Sequence, residues 1–207
     1  MTLAPELARG VDELGLNVAH AAQEKLLNYL ALLEKWNQVY NLTAVRKPEQ
    51  MLYAHLLDSL AVLPYLPEGA VIDVGSGGGL PGIPIALARP DATMTVLDSN
   101  HKKASFLREA VMQLGIKNVS VVCQRVEEFA PAEKFAVVIS RAFSDLAEFI
   151  RVTRHLCEQQ GKFLAMKGVL PYEELSQLPA DITLLQSHPL KIPGVEGQRH
   201  LLVLGAA

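Results

Sequence analysis

Apolar residues recur at helical spacing through the first third of the chain and in short, nearly continuous runs after it. From Ala21 to Tyr40, the positions Leu26, Leu30, Leu33 and Tyr40 fall on one helical face. A second helical stretch opens near Pro48, which suits a first turn. It passes through Met51, Leu52, His55, Leu56, Ser59, Leu60 and Leu63 and ends at Pro64. No strand pattern precedes residue 70. From there the period changes. Strands are predicted over 71–74, 94–98, 119–122, 135–140, 162–166, 182–186 and 200–204. Helices are predicted over 81–88, 100–114 and 146–157, with Gly115 as the stop of the second.

This alternation predicts an α/β, Rossmann-like fold. Its sheet has seven strands, is mostly parallel and is covered by helices on both faces. Residues 67–207 form that unit and 1–66 a helical extension. Little helix separates the last two strands, so an antiparallel hairpin is expected there.

Composition narrows the function classes. The chain has 207 residues, half of them hydrophobic, enough for a substantial core. Lys and Arg number 19 against 22 Asp and Glu, which excludes a strongly basic coat for nucleic acid but not a local basic patch. Residues 1–34 carry the acidic excess, through Glu6, Asp12, Glu13, Glu24 and Glu34 against Arg9 and Lys25. The two cysteines, Cys123 and Cys157, form no C-x-x-C and read as small buried hydrophobes. No apolar run reaches a membrane span, and Met1 to Gly10 lacks a secretory pattern. A soluble, cytoplasmic protein without membrane contact is expected.

In an open parallel sheet, ligands bind beyond the carboxyl ends of the strands. After the first strand comes Asp73-Val74-Gly75-Ser76-Gly77-Gly78-Gly79-Leu80-Pro81-Gly82. Gly77, Gly79 and Gly82 match G-x-G-x-x-G literally, the dinucleotide pattern. That register begins several residues after the strand and contains Pro81. The other register, D-x-G-x-G-x-G from Asp73 through Gly75, Gly77 and Gly79, sets an acid at the strand tip. There it favours a cationic amino-acid end and repels a pyrophosphate. This resembles the glycine loop of class I S-adenosylmethionine-dependent methyltransferases. Asp98, at the tip of the second strand, has the acceptors for two ribose hydroxyls; capping of the next helix is its plainer role. Val126 and Glu127, after the third strand, are candidates to flank an adenine.

The acceptor is expected beyond the fourth strand, at Ser140-Arg141-Ala142-Phe143. The element that amino-methylating enzymes tend to carry there is missing, and neither cysteine sits where pyrimidine-carbon chemistry needs its nucleophile. An acceptor that needs no covalent step remains. Phe143 suits base stacking or the core. Lys102, Lys103, Lys167 and Arg199 are candidate phosphate contacts, each by itself an ordinary solvated residue. Trp36 and Tyr40 suit an RNA-stacking surface, but are expected to pack the helical extension onto the sheet. His55 and Asp58, three apart on a helix, read as a contacting polar pair that docks it. No His, Asp or Glu set has metal-ligand spacing, so no metal is expected.

From about residue 20 onward the chain resembles one family. The shared elements are Lys35-Trp36-Asn37, Tyr40-Asn41-Leu42-Thr43, His55 with Asp58-Ser59-Leu60, and 73–84. They continue with Leu97-Asp98-Ser99, Arg125-Val126-Glu127-Glu128-Phe129, Ile139-Ser140-Arg141-Ala142-Phe143, Lys167-Gly168, and Gly197 with Arg199-His200-Leu201. These resemble the bacterial small-subunit rRNA guanine-N7 methyltransferases, the glucose-inhibited division protein B family. The resemblance implies transfer from S-adenosylmethionine to N7 of guanine 527 of 16S rRNA in the small subunit. It implies cofactor contacts at Gly75, Leu80, Val126, Glu127 and Arg141, to which the strand-end reading adds Asp73, Gly77 and Asp98. Arg141 is the candidate catalytic residue, holding the methionine end or orienting the acceptor. A monomer is expected. The alternatives are a ribosome-assembly factor of this fold without turnover, and a nicotinamide-dependent oxidoreductase.

Overall fold

The computed structural model describes residues 3–207. The chain opens with α1 (Ala4–Glu13) and α2 (His20–Tyr40), which ends at Asn41 in the left-handed conformation, φ 50°. A third helical run follows, from α3 (Pro48–Met51) through a π-helical segment (Leu52–Leu57) to α4 (Asp58–Leu60).

Strand–helix alternation then sets in as the hydrophobic pattern implies. The elements are β1 (Val71–Val74), α5 (Gly82–Ala88), β2 (Met94–Leu97), α6 (His101–Gln113), β3 (Val119–Val122), β4 (Phe135–Ser140), α7 (Leu146–Thr153), β5 (Cys157–Lys167), α8 (Tyr172–Ser176), β6 (Ile182–Pro189) and β7 (His200–Ala206). The sheet order is β3-β2-β1-β4-β5-β7-β6. The first five strands are parallel, and β7 lies antiparallel between β5 and β6, so the expected terminal hairpin is present. The chain order reverses between β1 and β4, which is where such a sheet opens a crevice for ligands.

Several boundaries differ from the sequence expectation, among them those of α7, β5 and β6. Helix α7 gives way at Arg154–Leu156 to a 3₁₀ turn, and β5 begins at Cys157 rather than at 162. Strand β6 continues to Pro189, and α8 was not anticipated.

Alternation along each strand builds two cores. Val71, Val96, Val137, Ile139 and Leu164 face a layer in which Leu26, Leu33, Leu56 and Leu60 of the helical extension mix with Ile83 and Phe106. Ile72, Leu97, Val138 and Phe163 face α7. Trp36 packs on Phe106 of α6, ring centroids 5.6 Å apart, and on Tyr40 at 5.1 Å. The pair therefore joins helix to helix, not helix to sheet. Among the described residues no helix is long and apolar enough to cross a membrane.

Candidate functional site

Beyond β1 the backbone turns through Gly75 at φ 70° and Gly77 at φ 60°, values that glycine adopts without strain. The amides of Gly75 and Ser76 both donate to the Leu97 carbonyl. A Cβ at Gly75 would come within 3.0 Å of the Ala142 Cβ, so only glycine lets the β1 and β4 tips approach this closely. Asp98 stands beside this turn. Its Oδ2 accepts from the Gly77 amide at 2.9 Å and its Oδ1 from the Asn100 amide at 2.8 Å. Lys103 Nζ lies 3.8 Å away. Asn100 caps α6, accepting from the Lys102 and Lys103 amides, so capping is not the role of Asp98.

These residues border a cavity of about 340 Å³, lined by Gly75, Leu97, Asp98, Val126, Glu127, Ala142 and Phe143 among others. A nucleoside fits its chemistry. Asp98 supplies acceptor oxygens with lone pairs to spare, and Val126 and Phe143 supply apolar walls. Phe143 also packs against Phe149, the core role the sequence offered as one of its two. Gly77 reaches the cavity through its bond to Asp98. Leu80 does not line it; its side chain is buried in the core beneath the loop.

Asp73 is placed otherwise than expected. It is 0 % exposed and points beneath the loop. Its Oδ2 accepts from the Gly82 amide at 2.9 Å, holding the first turn of α5, while Oδ1 has no partner. Burial pushes this carboxyl up to about 7, against the pull of the Gly82 amide and Arg141. Asp73 therefore does not line the first cavity. The same bond occupies an α5 amide that a pyrophosphate would need. One amide of the dinucleotide register, that of Gly82, is thus already engaged. From the other side the Tyr29 hydroxyl of α2 donates to the Gly78 carbonyl. Burial holds that phenol well above its usual value.

A second cavity, of about 240 Å³, lies past the ends of β4 and β5. It is lined by Ala54, Asp58, Arg141, Met166, Lys167, Gly168, Leu190, Arg199 and His200. Adjacent residues thus serve the two spaces, Arg141 the second and Ala142 the first. Arg141 Nη1 donates to the Ala54 carbonyl at 3.1 Å and to Asp58 Oδ2 at 3.0 Å. Ala54 sits inside the π-helical segment, where the wider turn re-aims backbone groups. Arg141 thus lines the second cavity, while its charge also acts on Asp73 beneath the glycine loop. Arg199 Nε is 3.5 Å from Asp58 Oδ1.

Asp58 and His55 share no hydrogen bond or ion pair. His55 bonds Thr43 Oγ1 through Nε2 at 2.8 Å, and burial pushes its imidazole down to about 4. Asp58 is 4 % exposed, and burial raises its carboxyl while the two arginines pull it back. The sequence offered it as a docking residue. Its partners, 83 and 141 positions away, carry no local signal.

The basic candidates separate. Lys102 is exposed at the start of α6, and Lys103 flanks the first cavity. Arg199 is at the rim of the second. Lys167 departs from its expected phosphate role. Its ammonium is engaged by the carbonyls of Phe143 and Ser144 and by Glu174 at 2.7 Å, with its side chain 10 % exposed. It braces the β4–α7 loop. Cys157 is buried as expected, whereas Cys123 is part-exposed, its sulfur 3.4 Å from His101 Nδ1.

Comparison with known proteins places the chain. Residues 22–202 match the GidB family, described as rRNA small subunit methyltransferase G. The chain is 53 % identical over 205 residues to the ribosomal RNA small subunit methyltransferase G of Laribacter hongkongensis, covering 99 % of each. It is 52 % identical over 204 residues to the protein of the same name from Chromobacterium violaceum, covering 98 % of each. Among solved structures, the ribosomal protein L11 methylase of Lactobacillus delbrueckii subsp. bulgaricus superposes with a TM-score of 0.56 at 14 % identity. That match covers 72 % of this chain and 76 % of the other, and it speaks for the fold.

Proposed function

The chain belongs to the rRNA small subunit methyltransferase G family, and on that footing we propose that it methylates N7 of guanine 527 of 16S rRNA, using S-adenosylmethionine, within the small ribosomal subunit. It acts as a cytoplasmic monomer, with residues 1–66 as a cap on the catalytic unit 67–207. One observation supports this most directly. A nucleoside-sized cavity at the tips of β1, β2 and β3 adjoins, through Arg141 and Ala142, a second cavity lined by two arginines and a buried carboxylate.

When bound, the cofactor supplies a methyl group on a positively charged sulfur. Asp98 accepts from the ribose hydroxyls, and Val126 and Phe143 flank the adenine. Glu127 borders the same space, and Gly75 lets the backbone come close. Guanine N7 carries an in-plane lone pair and no proton, so the chain needs no general base before transfer. Its residues instead position the base in line and exclude water. Arg141, fixed by Ala54 and Asp58, orients the acceptor. Lys102, Lys103 and Arg199 contact phosphates around the target.

The test is transfer of labelled methyl to small subunits from cells lacking the gene, followed by cleavage specific for N7-methylguanine. Label confined to that guanine supports the reading. Bound cofactor with no transfer removes it in favour of an assembly factor without turnover.

A further inference from the structure

The second cavity has an unusual floor. Asp58 is buried, yet its Oδ1 accepts no hydrogen bond, and Arg199 Nε at 3.5 Å is the nearest cation to it. The other oxygen is held by Arg141 at 3.0 Å. A buried carboxylate oxygen without a donor is costly unless a ligand supplies one. Arg141 and Arg199 together neutralise the carboxylate and hold it in place. Neither fills its remaining lone pairs.

We propose that Asp58 is the specificity-determining residue for the acceptor base, its carboxylate accepting from N1–H and N2–H of a guanine seated in this cavity. This rests on the guanine-N7 reading above and deepens it. The chemistry selects one base. Guanine presents two adjacent donors on its Watson–Crick edge, which match the two oxygens of a carboxylate. Adenine presents an acceptor at N1 and would leave a lone pair facing a lone pair. Guanine O6 is an acceptor, suited to a flanking arginine. N7 lies on the opposite edge of the base. Binding through N1 and N2 therefore leaves the reacting lone pair free to point away from Asp58. The space suffices for a single base, and it shares Leu190, Arg199 and His200 with a larger cleft of about 640 Å³ through which a strand can approach.

The test removes one donor from the base and, separately, the carboxylate from the protein. Small subunits are reconstituted with guanine or with inosine, which lacks the 2-amino group, at the target position. Single-turnover methyl transfer is measured with the wild-type protein and with Asp58→Asn. The wild type is expected to prefer guanine by about tenfold, the range one base-edge hydrogen bond supplies. In Asp58→Asn the preference should fall to about one, whatever the overall loss of rate. A general disturbance of the site lowers both rates and leaves their ratio intact. Equal wild-type rates on guanine and inosine would overturn the assignment without use of any variant. An unchanged preference in Asp58→Asn would overturn it as well. If the wild type transfers no label to the target guanine, the broader reading fails first, and that outcome is distinct from both.

Discussion

The hydroxyl of Tyr29, in the middle of α2, donates to the carbonyl of Gly78, at the centre of the glycine loop, across 49 positions of sequence. The phenol is fully buried, so the helical extension is hydrogen-bonded directly to the backbone that shapes the cofactor cavity. Replacing Tyr29 with Phe leaves that carbonyl without its donor. Stability should fall by about 1–2 kcal/mol. Cofactor affinity should weaken several-fold while the far-ultraviolet dichroism stays unchanged. Urea unfolding and calorimetric titration measure both. An unaltered affinity would show that the extension does not shape the loop.

Arg141 bridges the two halves of the chain in the same way. Its guanidinium holds Ala54 and Asp58 and lines the second cavity, where the acceptor is proposed to sit. Arg141→Ala should lower single-turnover transfer by about a hundredfold or more. Cofactor affinity should change less than about threefold, because the first cavity does not use this side chain. The stability cost should be about 2 kcal/mol, reduced from that of a fully buried pair by the partial exposure of Arg141. Loss of cofactor binding with transfer preserved would reverse the assignment.

Two buried groups should give the protein opposing pH dependences. Asp73 is pushed up to about 7 from 3.8, so the folded chain holds a proton there that the unfolded chain releases. Its contribution is full below about pH 4 and is lost as pH rises through 7. His55 is pushed down to about 4 from 6.5, so its contribution is full above pH 6.5 and is lost as pH falls towards 4. Each supplies a slope of up to about 1.4 kcal/mol per pH unit. Relative to wild type, Asp73→Asn should gain stability with rising pH between 4 and 6.5, and His55→Gln should lose it. Urea midpoints at pH 4.5 and 6.5 read the sign in each variant.

The basic residues should separate in salt. Lys102→Ala and Lys103→Ala should each reduce the salt slope of small-subunit binding by about one. Lys167→Ala should leave the slope unchanged and lower stability, because its ammonium is already engaged by Glu174 and two carbonyls. A reduced slope in Lys167→Ala would restore it as a phosphate contact.

Much of this architecture is legible in the sequence because strand tips and glycine turns are local features. The β1 run, buried at all four positions, ends where the glycines begin. Asp98 and Val126 are found by counting to the next strand ends. What escapes is the non-local. Strand β5 starts at Cys157, but Glu158, Gln159 and Gln160 are exposed and show no alternation, and Gly161 reads as a turn. The polar end of β6, Ser187-His188-Pro189, hides in the same way. The π-helical segment has no residue pattern that distinguishes it from an α-helix. Asp73 shows the converse error. Its position at a strand tip is legible, but which face of the sheet it points to decides its role. Alternation turns it under α5 and towards the Gly82 amide.

The central claim is the identity of the methylated atom. Purified protein, methyl-labelled S-adenosylmethionine and small subunits from cells lacking the gene are incubated together, and the 16S rRNA is then cleaved at N7-methylguanine. The account predicts one labelled site, guanine 527, with cleavage there and nowhere else. Label on another base, or on another atom of that guanine, would contradict it.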